Sequence, residues 1–297
     1  MKKRNYLALI AFTALSIVSC SKDNDDQILP TDAFVEIPDV NFEKKLISLG
    51  IDSDQIVNNL ILKSDAEAVE KLAIGGQEIT DLTGIESFVN LKRLFAAGNV
   101  INAVNLSNNV LLDSVDLSGN NLITIDFQSN TKLVYVALYG NQLLTASGFS
   151  NADNLDNLSL SFNYLTEFSV ENPSLTKLQI DNNDLISFDA EMGTNLEHVV
   201  MYSNKLKTVD FSNSLKLKLL RVADNKLTNI ILGQKNDLYH LSCSSNFLTT
   251  LNVADYANLD YLYVQNNPNL NCIQIANGQV IGTKELSANQ ALNTNCN

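Results

Sequence analysis

The soft ligands and strong nucleophiles of this chain are few: His198 and His240, and the cysteines Cys20, Cys243, Cys272 and Cys296. Two imidazoles can share a zinc ion only when their nitrogens approach within about 4 Å. Paired thiols in an oxidising compartment form a disulfide, and a lone buried thiol behaves as a small apolar side chain. The run Asp52-Ser53-Asp54-Gln55 starts like a calcium loop, but it lacks the loop glycine and the closing glutamate, so no calcium site is expected. There is no H-E-x-x-H, no G-x-S-x-G and no phosphate-cradling glycine loop. Nothing in the sequence places two carboxylates in one pocket, as glycoside hydrolysis needs. These residues predict no catalytic group, no metal and no cofactor.

What must position them is a repeat. Asn99, Asn120, Asn141, Asn163, Asn183, Asn204, Asn225, Asn246 and Asn267 recur every 21 residues, with one step of 22 and one of 20. Each sits in the frame L-x-x-L-x-L-x-x-N-x-L. Leu112, Val115, Leu117, Asn120 and Leu122 fill it, as do Leu217, Leu220, Val222, Asn225 and Leu227. A degenerate copy, Val69 to Ile79, precedes them, and Gln77 holds its Asn slot. Apolar residues alternating over L-x-L mark a strand with one buried face. One copy cannot bury that face alone, so copies must stack, strand on parallel strand. The Asn stands where the chain leaves the strand and backbone groups near the core need partners. Its amide supplies two donors and an acceptor, which makes the column a structural ladder.

The second half of each copy repeats an apolar theme, as in Ile125 with Phe127 and Val209 with Phe211. It is too short for a full helix. Extended or single-turn structure is expected there, and the extra residue near Ala146 to Phe149 accounts for the 22-residue step.

These motifs resemble the leucine-rich repeat family over roughly residues 69–275. The resemblance implies an α/β but β-rich solenoid, a right-handed horseshoe of parallel strands with about ten short repeats. Residues 34–68 are not repeat and predict a helical cap. Asp39 is suited to the N-cap, Phe42, Leu46 and Leu49 share a helical face, and Gly50 stops the helix. The start Ile37-Pro38-Asp39-Val40-Asn41-Phe42 resembles the amino-terminal cap of Bacteroidetes leucine-rich repeat proteins. Residues 276–297 are expected to be a non-repeating cap, pinned by a disulfide between Cys272 and Cys296. Cys243 fills a Leu slot and is expected to be buried and reduced.

Residues 1–19 read as a targeting segment: Lys2, Lys3 and Arg4, then an apolar run from Tyr6 to Val18 too short to span a bilayer. Ile17-Val18-Ser19-Cys20 resembles a bacterial lipoprotein signal, which implies acylation of Cys20. Residues 20–33 are expected to be a disordered tether. The Lys-then-acidic run Ser21 to Asp26 resembles that of Bacteroidetes lipoproteins exported to the cell surface. An outer-membrane lipoprotein, exposed at the surface, is the expected localisation.

The formal charge of −13 excludes a nucleic-acid binder, which needs a basic stripe. A partner would meet the outward positions of the L-x-L strands. Of the nine tyrosines, five fall there: Tyr135, Tyr139, Tyr202, Tyr261 and Tyr263. His198, Arg221 and His240 join them. The two histidines occupy one column two copies apart, roughly 10 Å at one strand spacing per copy, too far to share a metal. Tyrosine also suits strands, but it supplies rigid contact area plus a hydroxyl, as at interfaces. The resemblance to internalin-like proteins implies a protein or peptide partner on the concave face. Stacked tyrosines also suit sugar rings, which leaves glycan capture as the alternative.

Overall fold

The computed structural model describes residues 33–234 and 237–296. The expected leader 1–19, Cys20 and the tether up to residue 32 lie outside the described residues. From Asp32 onward the chain is one compact unit.

Eleven three-residue strands, from Lys71–Ala73 to Thr283–Glu285, form one parallel sheet in chain order. The register follows the repeat: Leu178 pairs with Val199, Val199 with Leu220, Leu220 with Leu241 and Leu241 with Leu262. Each of these central side chains is buried. Fully burying one is worth about 1.5–3 kcal/mol, and every copy repeats the gain against its neighbours. The fold is therefore a β-solenoid of about eleven turns.

The second halves of the copies form short parallel ladders on the other side, such as Glu167–Ser169 with Ser187–Asp189 and Thr208–Phe211 with Asn229–Leu232. Inside this flank Phe127, Phe149, Phe168, Phe188 and Phe211 pack ring against ring in sequence, with centroids 5.6, 6.5, 6.5 and 5.8 Å apart.

Two polar ladders lock the turns together. In the first, Asn120 donates from Nδ2 to the carbonyls of Ala96 (3.1 Å) and Leu117 (2.9 Å), and its Oδ1 accepts from the Ile101 N–H (3.1 Å). Each Asn thus bonds its own turn and the one before. The second ladder stands at the opposite corner. Asn109, Asn130 and Asn172, all buried, each donate to two carbonyls of the preceding turn. Sequence reading missed this column, although its spacing is the same 21 residues. The signal is masked because the extra residue before Phe149 puts Ala152 in the slot and leaves Asn151 outside it.

The residue before each ladder Asn has a left-handed backbone. Glycine serves at Gly98, Gly119 and Gly140, but Phe162 takes φ 57° with its ring exposed. A side chain makes that conformation costly.

The amino-terminal cap holds helix α1 (Val40–Ser48), helix α2 (Lys63–Glu67) and an antiparallel pair, Phe34–Glu36 with Leu60–Leu62. Asp39 caps α1 through Oδ1, and its Oδ2 accepts from the Thr80 N–H and hydroxyl, tying the helix to the first turn. Burial pushes the Asp39 carboxyl up, but the bonds from Thr80, Phe42 and Asp81 outweigh it and leave its pKa low. Phe42 and Leu46 are fully buried, with Phe42 6.2 Å from Phe88. Leu49, expected on the same face, instead lies beyond the helix end and is exposed, because the chain turns away at Gly50. Glu43 is buried, and its Oε1 accepts from the Asn58 and Leu60 N–H groups. Burial, then the charges of Asp54 and Glu43, push the Asp52 carboxyl up to about 6.

The carboxy-terminal tail departs from expectation. The sequence predicts a non-repeating tail, yet Thr283–Glu285 adds a strand to the main sheet and Ala291–Asn293 pairs with Cys272–Gln274. The extra turn is hidden in the sequence because Lys284 takes the slot that Leu262 fills one turn earlier. The Lys284 ammonium donates to the Ile281 carbonyl. The Cys272 and Cys296 sulfurs are bonded, with Cα atoms 5.7 Å apart. Cys243 is free and buried, and burial raises its thiol pKa to about 12.

Candidate binding face

The outward residues of the eleven-stranded sheet form the candidate site. Alternation along each strand sends the central residue into the core and its two neighbours outward, so each column of outward residues is set by the repeat.

The strands His240–Ser242 and Tyr261–Tyr263 pair in parallel, with His240 opposite Tyr261 and Ser242 opposite Tyr263. The His240 ring stacks on Tyr261 at 5.6 Å and 24°, and Tyr263 tilts over it at 5.5 Å. Tyr239 adds an edge contact at 6.3 Å. These rings leave His240 only 9% exposed, although it points away from the core. Burial, then the positive charge of Arg221, pulls the His240 pKa below its ordinary value and favours the neutral ring. Tyr239 was missed because it precedes the strand and lies outside the expected columns.

Arg221 is exposed and stands one strand from His240, on Leu219–Arg221. Tyr202 lies on the other side of it, just past the strand His198–Val200. Burial and the neighbouring Asp181 carboxylate raise the Tyr202 phenol pKa. Five of the expected residues, Tyr202, Arg221, His240, Tyr261 and Tyr263, therefore sit on or just past four successive strands.

The other three do not join them. His198 is half-buried, and Leu219 occupies the register position between it and His240, so the two imidazoles are not brought together. Tyr135 and Tyr139 are exposed and form a separate patch beside Asp116, with Asn157–Ser159 and Lys177–Gln179 intervening before the strand of His198. Burial, then Asp116 and Tyr139, raise the Tyr135 pKa. Among the described residues, no three His, Cys, Asp or Glu side chains gather as a metal site.

No protein-family profile and no curated protein sequence matches the chain. In structure it is similar to the functional domain of InlJ from Listeria monocytogenes, at TM-score 0.54 and 21% identity over 81% of this chain and 66% of that one. It is also similar to YopM, a leucine-rich effector protein from Yersinia pestis, at TM-score 0.57 and 18% identity over 84% of this chain and 73% of that one. A third likeness is to a chain in the octameric complex of Latrophilin 3, Unc5D and the leucine-rich repeats of FLRT2. It has TM-score 0.57 and 21% identity over 71% of this chain and 76% of that one. The fold is that of leucine-rich repeat proteins.

Proposed function

We propose that this chain is a non-catalytic binding module that holds a protein or peptide on the outer face of its eleven-stranded sheet, at the Tyr202–Tyr263 end. The observation that carries this reading is the ring cluster of His240, Tyr261 and Tyr263. Core packing does not require it, because all three side chains stand on the solvent side of the strands. Preassembled aromatic surface costs little conformational entropy when a partner docks, which is how tyrosines come to anchor interfaces. The fold likeness to FLRT2, solved in a complex with other proteins, supports a protein partner by analogy.

Attachment to a bacterial outer membrane through acylated Cys20, with the solenoid at the cell surface, completes the proposal. The basic start, the short apolar run and Cys20 support it. Protease shaving of intact cells tests the exposure, and radiolabelled palmitate incorporation tests Cys20.

The binding experiment is a pull-down with identification by mass spectrometry, run beside a glycan array. The combined change Tyr202→Ala, Tyr261→Ala and Tyr263→Ala is expected to abolish capture with no change in melting temperature. Capture undiminished by that change would mean the wrong face has been chosen. Array binding without a protein partner would move the reading to glycan capture.

A further inference from the structure

Arg221 differs from three lysines beside this sheet. Lys92 pairs with Glu70, Lys177 with Asp156 and Lys218 with Glu197, each across one turn. Among the described residues the Arg221 side chain has neither an ion pair nor a hydrogen bond, although it is exposed in the middle of the aromatic patch. Nearby acids are already engaged. Asp181 accepts from the Ser161 hydroxyl and the Asn182 amide, and Asp224 from the Ser203 hydroxyl.

We propose that Arg221 is the receptor for a carboxylate on the partner, and that the captured segment is a stretch of protein with an Asp or Glu beside a large apolar residue. The inference rests on the reading of this face as the binding surface. A guanidinium with its five N–H donors free matches a carboxylate in a two-pronged bond. Tyr202 on one side and the His240–Tyr261–Tyr263 rings on the other would exclude water from that bond, which strengthens it. They would also give the neighbouring apolar residue a flat wall. The charge balance favours a carboxylate over a phosphate. One guanidinium neutralises one carboxylate, whereas phosphorylated segments are held by arginine clusters, and a chain of net charge −13 repels a dianion more strongly.

The test is selection of phage-displayed random peptides on the immobilised full-length chain, repeated on Arg221→Met and on Tyr261→Ala with Tyr263→Ala. The expected result is enrichment of acidic residues next to large apolar ones. A synthetic winner should bind Arg221→Met about tenfold or more weakly, as loss of a charged hydrogen-bond partner implies, with Arg221→Lys in between. Winners without an acidic residue, or winners that bind Arg221→Met as tightly as the parent, overturn the Arg221 inference and leave the face intact. Winners that bind the double tyrosine variant undiminished overturn the face itself. Enrichment of no peptide, or Arg221-dependent binding of polygalacturonate instead, overturns the protein segment as ligand.

Discussion

The ring of His240 lies against Tyr261, 5.6 Å between centroids and 24° from parallel, on adjacent strands one repeat apart. The stack buries an imidazole on the solvent side of a sheet. It links the protonation of one residue to the packing of its neighbours.

That link is measurable. Removing Tyr261 and Tyr263 together uncovers His240 and should move its pKa back up toward 6.5, the ordinary value from which burial lowers it. Arg221→Met should also raise it, by a smaller step, since the arginine charge is the lesser cause. An NMR titration of the imidazole protons reads both shifts. An imidazole pKa identical in parent and double variant would show that the rings do not control it.

Asn204 ties two turns of backbone together. Its amide donates to the carbonyls of Ile180, Met201 and Tyr202, and its oxygen accepts from the Leu185 N–H. Asn204→Leu strands buried polar groups in both the upper and lower turn. Urea denaturation should show a loss of about 3–5 kcal/mol, as several buried groups lose partners at about 1–3 kcal/mol each. A loss under about 1 kcal/mol would mean that water replaces the amide without penalty.

Phe162 holds a conformation that glycine adopts freely, and its ring is exposed, so little packing is lost on removing it. Phe162→Gly should stabilise the fold by up to about 1 kcal/mol, the left-handed cost less the added freedom of the unfolded chain. A lower unfolding midpoint in the variant would show that the ring packs more than its exposure suggests.

Asp52 carries a pH signature. Its folded pKa is about 6 against an ordinary 3.8, so between those values the unfolded chain releases a proton that the folded chain keeps. Its contribution is fully present below pH 3.8 and is lost as pH rises toward 6. Asp52→Asn cannot lose it. The stability of the variant relative to the parent should rise between pH 4 and pH 7 in paired urea titrations, and a flat difference would place the titration elsewhere.

The repeat made most of the fold legible, because a leucine in register can do only one thing when copies stack. The first Asn column was legible for the same reason. The second column, Asn109, Asn130 and Asn172, escaped because one inserted residue breaks its period and later turns use Ser214 and Tyr256 instead. The last turn escaped because Lys284 disguises the Leu slot. At the site, the columns placed Tyr261, Tyr263 and His240 on one face, but not their mutual stacking. That depends on ring rotation, which no spacing encodes. The columns did show His198 standing apart from His240, two copies away with Leu219 between them.

Lys284 has a consequence for association between molecules. A parallel sheet offers its final strand as a template, and repetitive coils are suited to joining tip to tip into fibres. Here any newcomer docking in register would seal an ammonium, held by one carbonyl, into a greasy seam. The same residue that hides this coil from sequence reading would therefore oppose the docking of a second copy on this edge.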